Sequence, residues 1–338
     1  MDRFSKTIEW LLEEEDPGVR HLVLRDLEHL DINDAQLVDV RIAAHRHGAI
    51  ATVLDAMHPD GYWVEPGPGY SPKYRSTVWA VIMLAQMGAS LDEDERIQRS
   101  CMYLLENSLT RFGQFTMSGA PSGTIACLQG NLCWALISLG CMDERLKKAY
   151  DWLSRSITGE GVASSTDKNS PLRYYASICG PNFECGANYK LPCAWGALKE
   201  LFALSVCPQG WQTSISRKAI QLGVDFLFSI DPVTAGYPSG GTGKPSQSWW
   251  KLGFPVFYVS DVLQVLEVLS ALGYNNDPRL KNLVDFILKK MDTEGRWKME
   301  YDLSGKTWVD FGPLKQPNKW VTLRALRALE QNRTLLEG

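Results

Sequence analysis

Two kinds of helix alternate along this chain, and that alternation limits its fold more than any other feature. Val78 to Gly88, Leu132 to Gly140 and Phe257 to Gly273 are apolar on nearly every side and end in glycine. A helix apolar all round is a buried helix, and a trailing glycine supplies the left-handed residue that caps it. Each is followed by a charged amphipathic segment opening on acids or proline: Asp92-Glu93-Asp94-Glu95, Asp143-Glu144 and Asp277-Pro278. Those residue types fit a helix start. A buried helix needs neighbours on all sides, and an amphipathic one needs a core to lie against, so the pair repeats as an inner and an outer layer.

The spacing makes this an array. Buried stretches end at Gly88, at Gly140 and near Leu204, 52 and about 64 residues apart, a spacing that marks helical repeats. Buried helices are expected to start near Val19, Arg75, Leu128, Cys193, Pro255 and Pro317. Outer partners are expected over about 4–14, 35–57, 92–108, 143–156, 213–230 and 278–291. Six hairpins can close into a ring with the buried helices inside. No Pro/Ser-rich linker divides the chain, so residues 1–338 read as one all-α domain, an (α/α)6 toroid.

Between hairpins lie short Gly/aromatic loops: Asp60-Gly61-Tyr62-Trp63, Phe112-Gly113-Gln114-Phe115, Gly159-Glu160-Gly161, Ala235-Gly236-Tyr237 and Glu294-Gly295-Arg296-Trp297. Loops of this type, each leading into an inner helix, resemble the repeats of terpenoid cyclases and protein prenyltransferases. Cys127-Leu128-Gln129-Gly130-Asn131-Leu132, with the later cysteines, looks like bacterial squalene-cyclase-like proteins. The resemblance implies the toroid and an isoprenoid or other elongated apolar ligand, with prenyl-transfer-like or cyclase-like chemistry if the chain is an enzyme. The motifs that carry those activities are not matched. The nearest approach to the Asp-x-Asp-Asp acid is Asp92-Glu93-Asp94-Glu95, at an outer-helix start. A prenyltransferase zinc site takes a late histidine, whereas His21, His29, His45, His47 and His58 all lie near the N-terminus.

Composition narrows the partners. The formal net charge is −4, which gives no global basic field for nucleic acid. No segment approaches the roughly 20 apolar residues of a membrane helix. The N-terminus reads as an acidic amphipathic helix rather than a signal peptide, so a cytoplasmic setting with reduced cysteines is expected.

Four residue sets can carry chemistry. Cys127, Cys179, Cys185 and Cys193 fall at the starts of the third and fourth buried helices. Four thiolates side by side would form a closed, structural Zn2+ site; the alternative is four small core thiols. Cations recur at inner-helix starts, where the dipole disfavours them: Lys73, Arg75, Lys190, Lys251, Lys315 and Lys319. They predict a basic mouth for an anionic headgroup such as a diphosphate or carboxylate, unless they pair with Glu65, Glu184 and Asp310. Aromatics gather in the same loops and helix starts, among them Trp63, Tyr74, Tyr175, Trp249, Trp250, Phe257, Tyr258 and Trp308, with polar Gln129 and Arg173 beside them. Such faces enclose an apolar ligand or stabilise a carbocation. Asp261, in the apolar run Phe257 to Leu263, is the candidate general acid for proton-driven isomerisation or cyclisation. Two other classes fit the same residues. One is a carbohydrate-active enzyme using Glu65, Asp302 or Asp310; the other is a non-catalytic binding or scaffold protein.

Overall fold

The computed structural model describes residues 3–164, 166–167, 172, 179–241 and 243–336. Helix dominates, in the order α1 (Ser5–Leu11), α2 (Pro17–Asp26), α3 (Ala35–Arg46), α4 (Ala49–Asp55), α5 (Thr77–Gln86), α6 (Glu95–Asn107), α7 (Ala126–Ser138) and α8 (Arg145–Thr158). A two-stranded hairpin follows, β1 (Glu184–Cys185) with β2 (Leu191–Pro192). The chain then forms α9 (Ala194–Ser205), α10 (Ser214–Leu227), α11 (Val262–Leu269), α12 (Lys281–Lys289), α13 (Lys319–Glu330) and α14 (Arg333–Leu336).

Six of these helices are the expected buried ones: α2, α5, α7, α9, α11 and α13. In α5 every residue from Thr77 to Ala85 is buried. Side-chain oxygens satisfy the first free N–H groups of several helices: Asp16 caps α2, Asp94 caps α6, Asp261 caps α11 and Asn318 caps α13. Five of the six inner helices pack on an outer partner, α2 on α1 and α3, α5 on α6, α7 on α8, α9 on α10 and α11 on α12. Inner helices also pack in series, α5 on α7, α7 on α9, α9 on α11, α11 on α13 and α13 on α2. The turn after α5 reaches α2, where a Cβ on Gly88 would lie 2.5 Å from Leu22 Cδ2. Between α7 and α9 the backbones come close. A Cβ on Gly130 would lie 2.4 Å from the Lys199 carbonyl, so only glycine fits there.

The outer stretch expected over 35–57 is two helices, not one. Gly48, at φ +80°, breaks it between α3 and α4. No helix among the described residues is long and apolar enough to cross a membrane.

The Gly/aromatic loops join outer helix to next inner helix by a repeated device. Trp63 is fully buried; its indole N–H donates to the Val53 carbonyl of α4 at 2.7 Å, and its backbone N–H to the Thr77 hydroxyl of α5 at 3.1 Å. Trp297 does the same, to Ile287 of α12 at 2.8 Å and Thr322 of α13 at 2.9 Å. In the second loop Gln129 of α7 takes over. It accepts from the Phe115 N–H and donates to the Gly113 and Ala149 carbonyls. The aromatic body fills the wedge between helices, and its polar edge satisfies backbone groups that the helix end leaves open.

Candidate functional site

A cavity of about 700 Å³ opens among the C-terminal halves of the inner helices, and all six line it. Leu22 comes from α2, Ala85 and Gln86 from α5, Trp134 from α7, Phe202 from α9, Gln264 and Glu267 from α11, and Arg324 and Ala328 from α13. Phe254 and Val256 reach in from the loop before α11. One wall is an aromatic platform, with Trp134 stacked on Phe202 at 4.8 Å between centroids and 16° between planes. Gln86 holds the loop wall in place. Its amide donates to the Val256 carbonyl at 2.7 Å and accepts from the Val256 N–H at 2.8 Å.

The polar side of the cavity centres on Arg324. Its guanidinium donates to both Asp261 oxygens (3.0 and 3.1 Å), to both Glu267 oxygens (3.0 and 2.8 Å) and to the Gly253 carbonyl (2.6 Å). Burial opposes the Arg324 charge, but Asp261 and Glu267 outweigh it and hold the guanidinium more firmly protonated than usual. Beside this cluster, Lys199 Nζ donates to Gln264 Oε1 at 2.5 Å. Lys199 is 1 % exposed and has no salt bridge among the described residues. Burial pulls its pKa down to about 7. Its chain neighbour Glu200 faces the other way, with Ser156 of α8 as its hydrogen-bond donor, and burial pushes its carboxyl up to about 8. Nearer solvent, Arg327 and Arg25 both pair with Asp26, at 2.8 and 2.5 Å, and Arg333 pairs with Glu330. Arg25 and Arg327 stand in the last turns of α2 and α13, where a cation complements the dipole.

Among the described residues, those expected to form a ligand mouth lie at the other end, around the inner-helix starts, and none of them lines this cavity. There the aromatics pack on one another. Tyr74, Trp79, Phe257 and Tyr258 are linked by centroid distances of 5.1 to 5.6 Å. Trp249 and Trp250 donate their indole N–H groups to the Pro232 and Val233 carbonyls. Trp63 and Gln129 belong to the loop joints already described. Of the cations, Arg75 lies over the Trp308 ring, whose N–H donates to the Arg75 carbonyl. Lys190 and Lys251 are exposed. Lys319 pairs with Glu13 at 2.9 Å. Lys319 and Asp310 line a separate, shallower groove of about 480 Å³ with Trp10 and Trp320. Arg173 and Tyr175 lie outside the described residues. Asp261 is not an isolated acid. Oδ1 accepts from the Gln264 N–H as the α11 cap, and both oxygens face Arg324.

The expected zinc site is corrected. Among the described residues no three His, Cys, Asp or Glu side chains gather in a way that could hold a metal ion. The physical reason lies in packing. Cys179 is buried in an apolar cluster with Ala126 and Trp152, while Cys185 ends β1 and Cys193 precedes α9.

The buried polar side chains at and beside the cavity that sequence reasoning did not single out are Arg324, Glu267, Gln264 and Lys199. For three of them the signal was present: Gln264 and Glu267 interrupt the apolar α11 and Lys199 the apolar α9, whereas α13 carries other charges that hide Arg324.

No family model matches the chain, and no curated protein sequence matches it. Solved structures give distant likenesses. One, described as a protein from Actinoplanes, is 13% identical with a TM-score of 0.45, covering 84% of this chain and 72% of that one. Another is the type II terpene cyclase MstE from Scytonema in its apo form, 11% identical with a TM-score of 0.33, covering 87% of this chain and 98% of that one. A variant of that cyclase in complex with geranylgeranyl dihydroxybenzoate is 10% identical with a TM-score of 0.32, at the same coverage.

Proposed function

We propose that the six inner helices close into an (α/α)6 toroid, and that the central cavity binds an elongated, largely apolar small molecule of the isoprenoid type. The observation that carries this reading is the cavity lining, drawn from all six inner helices. Its volume of about 700 Å³ suits a ligand of that size. Leu22, Ala85, Phe254, Val256 and Ala328 supply apolar wall, and the Trp134–Phe202 stack supplies a flat face. A ligand with one polar end meets Gln264, Glu267 and Arg324 at the opposite wall. In this reading Asp261 is a positioning residue: it neutralises Arg324 and fixes the direction in which the guanidinium presents its N–H groups. Entry is from the side of the C-terminal helix ends, not through the aromatic cluster at the helix starts. The carbohydrate reading has less support, because Glu65 and Asp302 line neither the cavity nor the groove that holds Asp310.

Calorimetric titration of the protein with geranylgeraniol tests this. One-to-one saturable binding is expected, weakened about tenfold by Trp134→Ala, equivalent to about 1.4 kcal/mol. Trp308→Ala, at the other end, should leave affinity unchanged. Loss of binding in Trp308→Ala with none in Trp134→Ala would place the ligand at the helix starts and refute the assignment.

A further inference from the structure

The cysteines that do not hold metal are arranged for a different chemistry. Cys185 ends β1 opposite Leu191, and the Cys193 N–H donates to the Phe183 carbonyl at 2.9 Å, extending the ladder by one pair. Side chains two residues apart on a strand share a face, so Cys185 and Cys193 are diagonal neighbours on one side of this hairpin. Their sulfurs are near enough to share a hydrogen bond. The backbone N–H groups of Ala187 and Asn188, in the turn, also point at the Cys185 sulfur. Two N–H donors and a thiol converge on one sulfur, an arrangement that stabilises thiolate over thiol. Asn188 fixes the turn, donating to the Pro192 and Pro238 carbonyls and accepting from the Gly240 N–H. Cys193 is the residue that precedes the first turn of α9. Cys185, Cys193 and Cys127 are partly exposed, whereas the other five cysteines are buried.

We propose that Cys185 and Cys193 form a peroxide-oxidisable thiol pair, with Cys185 as the attacking thiolate and Cys193 as the resolving thiol. In the first step the Cys185 sulfur attacks one oxygen of hydrogen peroxide. The O–O bond breaks, hydroxide leaves, and Cys185 becomes a sulfenic acid. In the second step the Cys193 sulfur attacks the Cys185 sulfur. The S–O bond breaks, the Cys193 proton leaves with the hydroxyl as water, and a disulfide remains. The pair loses two electrons and the peroxide gains them. The product ties the hairpin covalently to the start of α9. Donors to the Cys185 sulfur bring its pKa down to about 6 against the opposing effect of burial, while the neighbouring Cys127 is pushed up to about 12. Reactivity follows thiolate fraction and exposure; Cys127 and Cys193 are also partly exposed, so what separates Cys185 from them is the set of donors around its sulfur.

The test begins with the reduced wild-type protein and limiting iodoacetamide at pH 7, followed by peptide mapping. Cys185 should be alkylated at least about tenfold faster than any of the other seven cysteines. Hydrogen peroxide should then yield an intramolecular Cys185–Cys193 disulfide, and Cys193→Ser should instead give a dimedone adduct on Cys185. Alkylation of Cys185 no faster than of the others overturns the proposal without reference to any variant. So does a peroxide-induced disulfide between Cys185 and Cys127, which removes the resolving role from Cys193. The absence of a dimedone adduct in folded Cys193→Ser removes the attacking role from Cys185.

Discussion

Replacing Lys199 by methionine should change how stability depends on pH, in a window set by one amine. Lys199 is buried on α9 with Gln264 as its hydrogen-bond partner, and its pKa falls from an ordinary 10.5 to about 7. Between those values the unfolded chain holds a proton that the folded chain has released. Stability therefore rises with pH across that window. It is lost again as pH falls through 7, where the native state must carry a buried ammonium. The full displacement corresponds to about 5 kcal/mol, at about 1.4 kcal/mol per pH unit. Methionine has a similar unbranched length and no proton to lose, so the variant lacks this rise. The lost hydrogen bond to Gln264 adds an offset of about 1 kcal/mol, independent of pH. Urea unfolding of both proteins at a series of pH values measures the difference directly. From pH 7 to pH 9, wild type should gain about 2 kcal/mol over Lys199→Met. A difference that stays flat over that range would show that Lys199 keeps its proton in the folded state, and would refute the reasoning from burial.

Three further changes test the packing. Arg324→Met strands Asp261 and Glu267 without their shared cation and should cost about 3–5 kcal/mol in urea unfolding. Gly130→Ala puts a methyl 2.4 Å from the Lys199 carbonyl, so α7 and α9 must separate; a loss of about 1–3 kcal/mol and a lower melting temperature are expected. Thr77→Val and Thr322→Val each leave a buried tryptophan N–H without its acceptor, and should cost similar amounts, about 1–2 kcal/mol each, because the two joints are built alike.

The helical array was legible because burial writes itself into residue type. An inner helix such as α5 can be apolar on every side only if it has neighbours on every side, and the Gly/aromatic loops announced each joint. The break between α3 and α4 was missed, since a glycine inside an amphipathic stretch is read as tolerated until its positive φ is seen. The residues expected to ring a mouth do not line the cavity, for a related reason. Aromatics at the inner-helix starts carry the same sequence signal whether they enclose a ligand or one another, and in this chain Trp79, Phe257 and Tyr258 fill the space themselves. Cations there violate the dipole rule, yet exposed lysines and the Arg75–Trp308 contact accommodate them without a ligand. Polar residues at the cavity are spread along the sequence: Arg324 on α13 and Gln264 and Glu267 on α11, with Lys199 on α9 bonded to Gln264. Only the fold brings them together. The four cysteines expected to share one site do not gather into a metal-binding group among the described residues. Spacing along the chain does not say which thiols the loops bring together.

Ala271 is exposed in the turn after α11 and stands on the lining of the central cavity. A large side chain there blocks access without entering the packed core, so the affinity of Ala271→Trp for geranylgeraniol is the direct measure of where the ligand sits. With an unchanged melting temperature, binding should fall at least tenfold, or about 1.4 kcal/mol. Full wild-type affinity in the folded variant would mean that the ligand does not use this cavity.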